Sequence, residues 1–402
     1  MFKTLDDLDP GQRVLVRLDL NSPVEDGAVQ DNRRFERHAE TVRELVDGGD
    51  RVVLMAHQGR PGRDSFVSLR QHADILAAHV GRPVQFVPDV YGEEALAAIR
   101  DLEPGEILLL ENVRMADDEL PEKPPEEHAA SDFVQTLAPE FDAYVNDAYS
   151  VAHRSHASVV GFPLVLPSYA GRVMETEYEA NTAIAHREFD GQVTMVVGGT
   201  KATDVIRVMN ALDDKVDTFL LGGIAGELFL RGAGYDVGYD VDDTDLFDEQ
   251  WEETSETIEA LLDRRGDQIR LAVDLAYEDE DGERAEVAVA DIDEKETPFL
   301  DVGHDTIESF APVIRDSEAV FVKGALGLFE DERFKCGTVG VLEVIGETDC
   351  FSVVGGGDTS RAIGLYGLDE DDYSHVTIAG GAYIMALTGE ELPAAKALAR
   401  DD

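Results

Sequence analysis

The chain has 402 residues and carries 85 Asp and Glu against 34 Lys and Arg, a formal charge of −51 at pH 7. At about 100–200 residues per domain this length implies two to three domains, and a hydrophobic content of 43% marks a globular chain. So acidic a composition excludes a binder of the nucleic-acid backbone and repels anionic lipid, and no stretch approaches the roughly 18 consecutive apolar residues of a membrane span.

In chain order, RVLVRLDL (Arg13–Leu20), RVVLMAH (Arg51–His57), VQFV (Val84–Val87), EILLL (Glu106–Leu110) and DAYVND (Asp142–Asp147) read as strands. Helical patterns lie between them at Phe35–Val46, Leu69–Val80 and Glu93–Arg100. The rhythm resumes with strands at Val193–Gly198, Asp217–Gly222, Ile269–Asp274, Glu318–Lys323, Cys350–Gly355 and His375–Gly380. Nearly continuous apolar strands separated by helices predict an α/β fold with parallel sheets covered on both faces. Met174–His186 is helical in composition and bears no chemical motif, so the domain junction is placed there. The expected division is a first domain over 1–170, a connecting helix over 171–187, a second domain over 188–385, and a tail over 386–402 packing back towards the first domain.

Two cysteines, Cys336 and Cys350, stand without a CxxC pattern, which excludes a disulfide scaffold and a zinc finger and fits a reducing, cytoplasmic setting. The N-terminus has no apolar core after Lys3 and is not read as a signal peptide. The acids are thickest at Asp242–Glu253 and Glu278–Glu283. A charge this large opposes compaction unless salt screens it, so adaptation to a high-salt interior is expected. No calcium-loop pattern offers another reason for the acids.

In doubly wound sheets, ligands bind beyond the carboxyl ends of the strands. The first strand ends in Asp19, Asn21 and Pro23, and the next helix opens with Asn32, Arg33 and Arg34. The second ends in HQGRPGR, with His57, Arg60 and Arg63; the fourth leads to Arg114; the fifth to His153, Arg154 and His156. Four strand ends thus deliver arginine or histidine to one edge, and guanidinium groups bind phosphate and carboxylate bidentately. A small polyanion is the expected ligand. Arg33 and Arg63 are expected to face solvent, and His156 to satisfy backbone hydrogen bonds.

The second half offers backbone instead. VVGGTK places two glycines before Lys201, with Asp204 beyond; VVGGGDTS places three glycines before Asp358, Thr359 and Ser360. Such loops let the chain approach a phosphate and present helix N–H donors to it. An acid among them suits a bound Mg²⁺. A third loop, KGALGLFE, ends in Glu330, a candidate acceptor for a ribose. No Walker A spacing and no G-x-G-x-x-G after the first strand are present.

These words together resemble the phosphoglycerate kinase family: VRLDLNSP, DNRRF, LMAHQGRP, LLLENVR, YVNDAYSVAHRSHAS, VVGGTK, LDDKVD, FLLGG, GLFE and VVGGGDTS run in order across nearly the whole length. The resemblance implies two Rossmann-like three-layer α/β/α domains, one for 3-phosphoglycerate and one for Mg–ADP or Mg–ATP, with a hinge that closes. It places Asp19, Asn21, Arg34, His57, Gln58, Gly59, Arg60, Arg114 and Arg154 in the phosphoglycerate site. It places Lys201, Gly222, Gly223, Leu300, Lys323, Glu330, Gly356, Gly357, Asp358 and Thr359 in the nucleotide site, with Asp358 as the magnesium ligand. Arg34 and Lys201 are implied to embrace the transferring phosphoryl group. A monomer acting on small molecules, without nucleic acid or membrane, is expected.

The chain departs from the family words at four places. Val205 stands where a second lysine is usual, Lys323 replaces an asparagine, Ile224 a glycine, and TIAGG around Ile378 replaces S-T-G-G-G. Lysine gained at 323 is expected to compensate for lysine lost at 205. Two rival readings are an α/β dehydrogenase using GGGDTS for a pyrophosphate and an inert nucleotide-binding module.

Overall fold

A computed structural model describes residues 2–238, 246–294 and 297–400. The chain forms two compact units, Met1–Glu179 with Glu390–Asp402, and Ala180–Gly389. Helix Arg172–His186 carries the chain from one to the other. The acid-rich stretch Asp242–Glu253 lies only partly within the described residues.

In the first unit, strands β1 (Arg13–Arg17), β2 (Arg51–Met55), β3 (Val84–Phe86), β4 (Ile107–Leu109), β5 (Ala143–Asn146) and β6 (Ser168–Ala170) form one parallel sheet in the order β3-β4-β2-β1-β5-β6. The strands are apolar on both faces because both faces are covered. Val14, Val16, Val52 and Leu54 enter one core layer, while their neighbours Leu15, Val53 and Met55 enter the other. The strand at Ser168–Ala170 is absent from the sequence reading; it is three residues long and sits at the sheet edge.

The second unit repeats the plan. Strands β7 (Gln192–Val197), β8 (Thr218–Leu221), β9 (Ile269–Arg270), β13 (Ser317–Lys323), β14 (Phe351–Gly355) and β15 (His375–Val376) pair in the parallel order β9-β8-β7-β13-β14-β15. The expected strand Ile269–Asp274 divides: Ile269–Arg270 closes the parallel sheet, and β10 (Asp274–Glu278) starts a separate antiparallel sheet with β11 (Arg284–Ala288) and β12 (Asp301–Val302). Both cysteines are free thiols. Among the described residues no helix is long and apolar enough to cross a membrane.

Each sheet changes winding direction once. In the first the switch lies between β1 and β5, in the second between β7 and β13. The crevice at such a point, beyond the carboxyl ends of the strands, is where ligands bind in this architecture.

Candidate active site

In the first unit the loops after β1 and β5 meet at the switch point. Asn32 caps helix Arg33–Asp47 by accepting from the Arg34 N–H at 3.0 Å, and its amide donates to Ser22 Oγ at 2.7 Å. That cap sets Arg34 in the first helical turn, where its guanidinium pairs with the buried carboxylate of Asp19 and donates to Ser150 Oγ at 3.2 Å. Ser150, which the sequence reading omitted, in turn donates to Asp19. The other Asp19 oxygen accepts from the Asn21 N–H at 3.1 Å, and Asn21 Oδ1 accepts from the Gly59 N–H at 2.8 Å. Gly59 has φ +62°, and a Cβ there would meet Ser65 O at 2.4 Å, so the HQGR loop requires glycine.

Gln58 is wholly buried, and its amide is taken up by Ser22, Ser65 and His72. It frames the loop. Arg114 donates to Gly59 O, while Arg60 is exposed and Arg154 lies half-buried, 3.6 Å from Glu122. Arg63 is exposed as expected, whereas Arg33 is half-buried.

Beneath these cations lies one the sequence reading passed over. Arg17, at the end of β1, is 1% exposed. Its Nε donates to Ser158 Oγ at 2.8 Å, its Nη2 to His57 Nδ1 at 3.2 Å, and buried Glu119 lies 3.9 Å away. Glu119 accepts from the Ser158 N–H and hydroxyl at 2.8 and 2.7 Å. An arginine interrupting VLVRLDL was the available signal, since an unpaired cation is not tolerated in a sheet buried on both faces.

The field is strongly positive. Burial brings Arg34 down to about 10, against the opposing pull of Glu177, and brings Arg114 down to about 10, with Arg17, Arg60 and Arg154 adding like charge. Both remain cations at neutral pH. Burial, reinforced by Arg17, Arg114 and Arg34, holds the His57 ring well below its usual range, and His156 falls to about 3 for the same kind of reason. The imidazoles are therefore neutral, and the guanidinium groups carry the charge an anion would meet.

In the second unit the switch point is built from backbone. The Gly198 N–H donates to Lys323 O at 2.8 Å and the Gly199 N–H to Ala325 O at 2.7 Å, tying together the loops after β7 and β13. Any side chain at Gly198 would strike Ala325 O at 2.1 Å, so this approach exists only for glycine. Lys201 is exposed just before helix Ala202–Ala211. Lys323 ends β13 with Asp204 at 3.8 Å; burial lowers its pKa, Asp204 and Asp358 oppose this, and Lys201 adds like charge.

Gly356, at φ +104°, turns the chain into helix Gly357–Tyr366, whose first turn holds Asp358 exposed and Thr359 buried, its hydroxyl donating to Gly355 O at 2.6 Å. A cavity of about 430 Å³ opens beside these loops, lined among others by Gly222, Gly223, Leu300, Glu330 and Asp358. It brings together five of the expected nucleotide residues; Lys201, Lys323, Gly356, Gly357 and Thr359 stand outside its lining. Ile224 is in the wall. Val205 is wholly buried in its helix, a core position with no face towards a ligand. Ile378 is likewise buried.

An exposed carboxylate at a helix N-terminus, Asp358, beside phosphate-approaching glycines fits Mg²⁺, which keeps waters and phosphate oxygens and needs one or two protein carboxylates. Among the described residues no group of three or more His, Cys, Asp or Glu could hold a metal by itself.

Comparison with known proteins places the chain in a family. Residues 5–390 match the family model described as phosphoglycerate kinase. The phosphoglycerate kinase of Halorubrum lacusprofundi is 76% identical over 99% of this chain and 98% of its own, and that of Haloarcula marismortui 72% over 99% and 100%. A crystal structure of phosphoglycerate kinase from Pyrococcus horikoshii superposes with a TM-score of 0.91 at 31% identity, over 99% of this chain and 98% of that one. With a guanidinium cluster at one switch point, a glycine cradle at the other, and full-length relatives at such identity, the chain belongs to the phosphoglycerate kinase family.

Proposed function

We propose that this enzyme catalyses reversible transfer of the acyl phosphate of 1,3-bisphosphoglycerate to Mg–ADP, giving 3-phosphoglycerate and Mg–ATP. The carrying observation is the Arg34–Asp19–Ser150 cluster, set beside Arg114 above buried Arg17. It supplies fixed positive charge to a phosphorylated carboxylic acid without any general base.

None is needed, because a carboxylate and a phosphate are already ionised at neutral pH. Phosphoryl transfer is mostly positioning and charge stabilisation. In this reading Asp19 and Ser150 hold the Arg34 guanidinium ready, Asn21 and Gly59 shape the loop that seats phosphoglycerate, and Arg60, Arg114 and Arg154 neutralise its phosphate. Lys201 and the N–H groups at Gly357 and Asp358 meet the phosphates of the nucleotide, and Glu330 its ribose. Asp358 would hold Mg²⁺, which supplies charge neutralisation across the phosphates when bound. Closure about the connecting helix is the proposed step that brings the two ligands in line and releases them afterwards. A cytoplasmic monomer is part of the same reading, supported by a charge of −51 that opposes self-association.

The test is steady-state phosphorylation of 3-phosphoglycerate by Mg–ATP, with ADP detected directly. Turnover that requires both substrates supports the proposal. Nucleotide binding without turnover would favour an inert module, and binding of a pyridine nucleotide in place of ATP would favour a dehydrogenase.

A further inference from the structure

The 430 Å³ cavity of the second unit has a mainly apolar wall, including Ala272, Leu275, Phe299 and Val302. Four carboxyl groups stand in that wall, and three have evident charge partners. Asp301 is 3.0 Å from Arg284 and accepts from the Gly337 N–H at 2.9 Å; Glu330 is 3.0 Å from Arg361; Asp358 lies in the field of Lys323. The fourth, Glu227, has no hydrogen-bond or ion-pair partner among the described residues. It sits on helix Gly223–Gly232, on the face whose Gly223, Gly226 and Leu230 also line the cavity, and it is 8% exposed.

A buried carboxyl without a partner is unfavourable unless something entering the site completes it. The mechanism above makes no use of it. We propose that Glu227 is the specificity determinant for the nucleobase, its carboxyl reading the hydrogen-bonding group at carbon 6 of a purine together with the adjacent ring nitrogen. The inference rests on the reading that this cavity takes the nucleotide base.

Burial without compensation pushes the Glu227 carboxyl up to about 8, so near neutral pH it is a carboxylic acid. It then offers one O–H donor beside one carbonyl acceptor. Adenine is the complement, an N–H donor at the 6-amino group beside an acceptor ring nitrogen. An unsubstituted purine has the ring nitrogen but no donor, and leaves the carboxyl oxygen unpaired in an apolar wall. Sites built to bond a polar group reject analogues that lack it for this reason. The phosphates are held elsewhere, so the discrimination belongs to binding rather than to the transfer step.

The experiment compares ADP with purine riboside 5′-diphosphate in the parent protein, Glu227→Gln and Glu227→Leu, by calorimetric Kd and by KM and kcat in the ATP-forming direction. The parent is expected to prefer ADP by on the order of ten- to a hundredfold in Kd and KM, with kcat similar for the two. Glu227→Gln, which keeps a donor and an acceptor, is expected to retain the preference. Glu227→Leu is expected to bring the ratio close to one by weakening ADP alone; a merely structural role would weaken both nucleotides together. Leucine removes a buried unpartnered polar group, so this variant is expected to fold. Retention of the parent's preference by Glu227→Leu overturns this inference and leaves the kinase reading standing. Failure of ADP to bind the parent overturns both.

Discussion

His38 Nδ1 lies 2.7 Å from Asp147 Oδ2, and both side chains are fully buried. The backbone N–H of Asp19 donates to His38 Nε2 at 3.2 Å, so Nε2 is the acceptor and the ring proton sits on Nδ1, facing Asp147. The other Asp147 oxygen accepts from the Val173 N–H at 2.9 Å in the first turn of helix Arg172–His186. A continuous buried chain therefore joins the loop bearing Asp19 to the start of the connecting helix. Gly171 is part of it, since a Cβ there would meet Asp147 Oδ1 at 2.1 Å.

Breaking that chain leaves buried polar groups unpaired. His38→Ala is expected to destabilise the fold by about 2–3 kcal/mol, read from the urea midpoint at constant m. A change below about 0.5 kcal/mol, typical of an exposed site, would show that the network is idle.

Arg34→Ala and Lys201→Ala are each expected to lower kcat by about 10²–10³, the range for loss of one preorganised charge donor. Lys201 is exposed, so its variant is expected to keep the parent's thermal midpoint. Losses below tenfold in both would reject their assigned roles.

Lys323 stands beside Asp204, within the fields of Lys201 and Asp358, while Val205 is sealed in the core. If the lysine at 323 replaces the charge missing at 205, Lys323→Ala raises the Kd for Mg–ADP by about tenfold, the effect of one charge-assisted hydrogen bond. Unchanged nucleotide affinity would end the compensation argument.

The Glu227 carboxyl has a folded pKa of about 8 against an ordinary 4.5. Between those values the native state holds a proton that the unfolded state has lost, so this group makes stability fall as pH rises. Without nucleotide, Glu227→Gln is expected to match the parent near pH 4.5 and to exceed it increasingly up to pH 8. Parallel stability–pH curves for the two proteins would contradict the shift.

The charge of −51 predicts a strong response to salt. At about 1 M salt the screening length shrinks to about 3 Å, relieving the repulsion between surface carboxylates. Both the urea midpoint and the turnover are expected to rise from low to molar KCl. Equal stability at both extremes would leave the acid excess without this explanation.

Much of the molecule was legible in its sequence, for a definite reason. Runs such as VLV and VVLM are apolar at every position, a pattern stable only in strands covered on both sides, so the sheets and their parallel sense followed. Glycines at strand ends announced close backbone approaches, as at Gly198 and Gly59, because no other residue fits there. The connection between Arg270 and Asp274 was not legible: LAV between them is as apolar as any strand, and only packing shows the chain leaving one sheet for another.

Nor were Arg17 with Glu119, His38 with Asp147, or the isolation of Glu227. Each depends on which side chain from a distant segment arrives beside it, and one-dimensional spacing carries no record of that. The local periodicity and turn chemistry determined the fold class and the strand ends that hold the chemistry. Tertiary structure decided which charges are paired, which are buried, and which carboxyl is left waiting for a ligand, because desolvation and hydrogen bonding are set by neighbours in space.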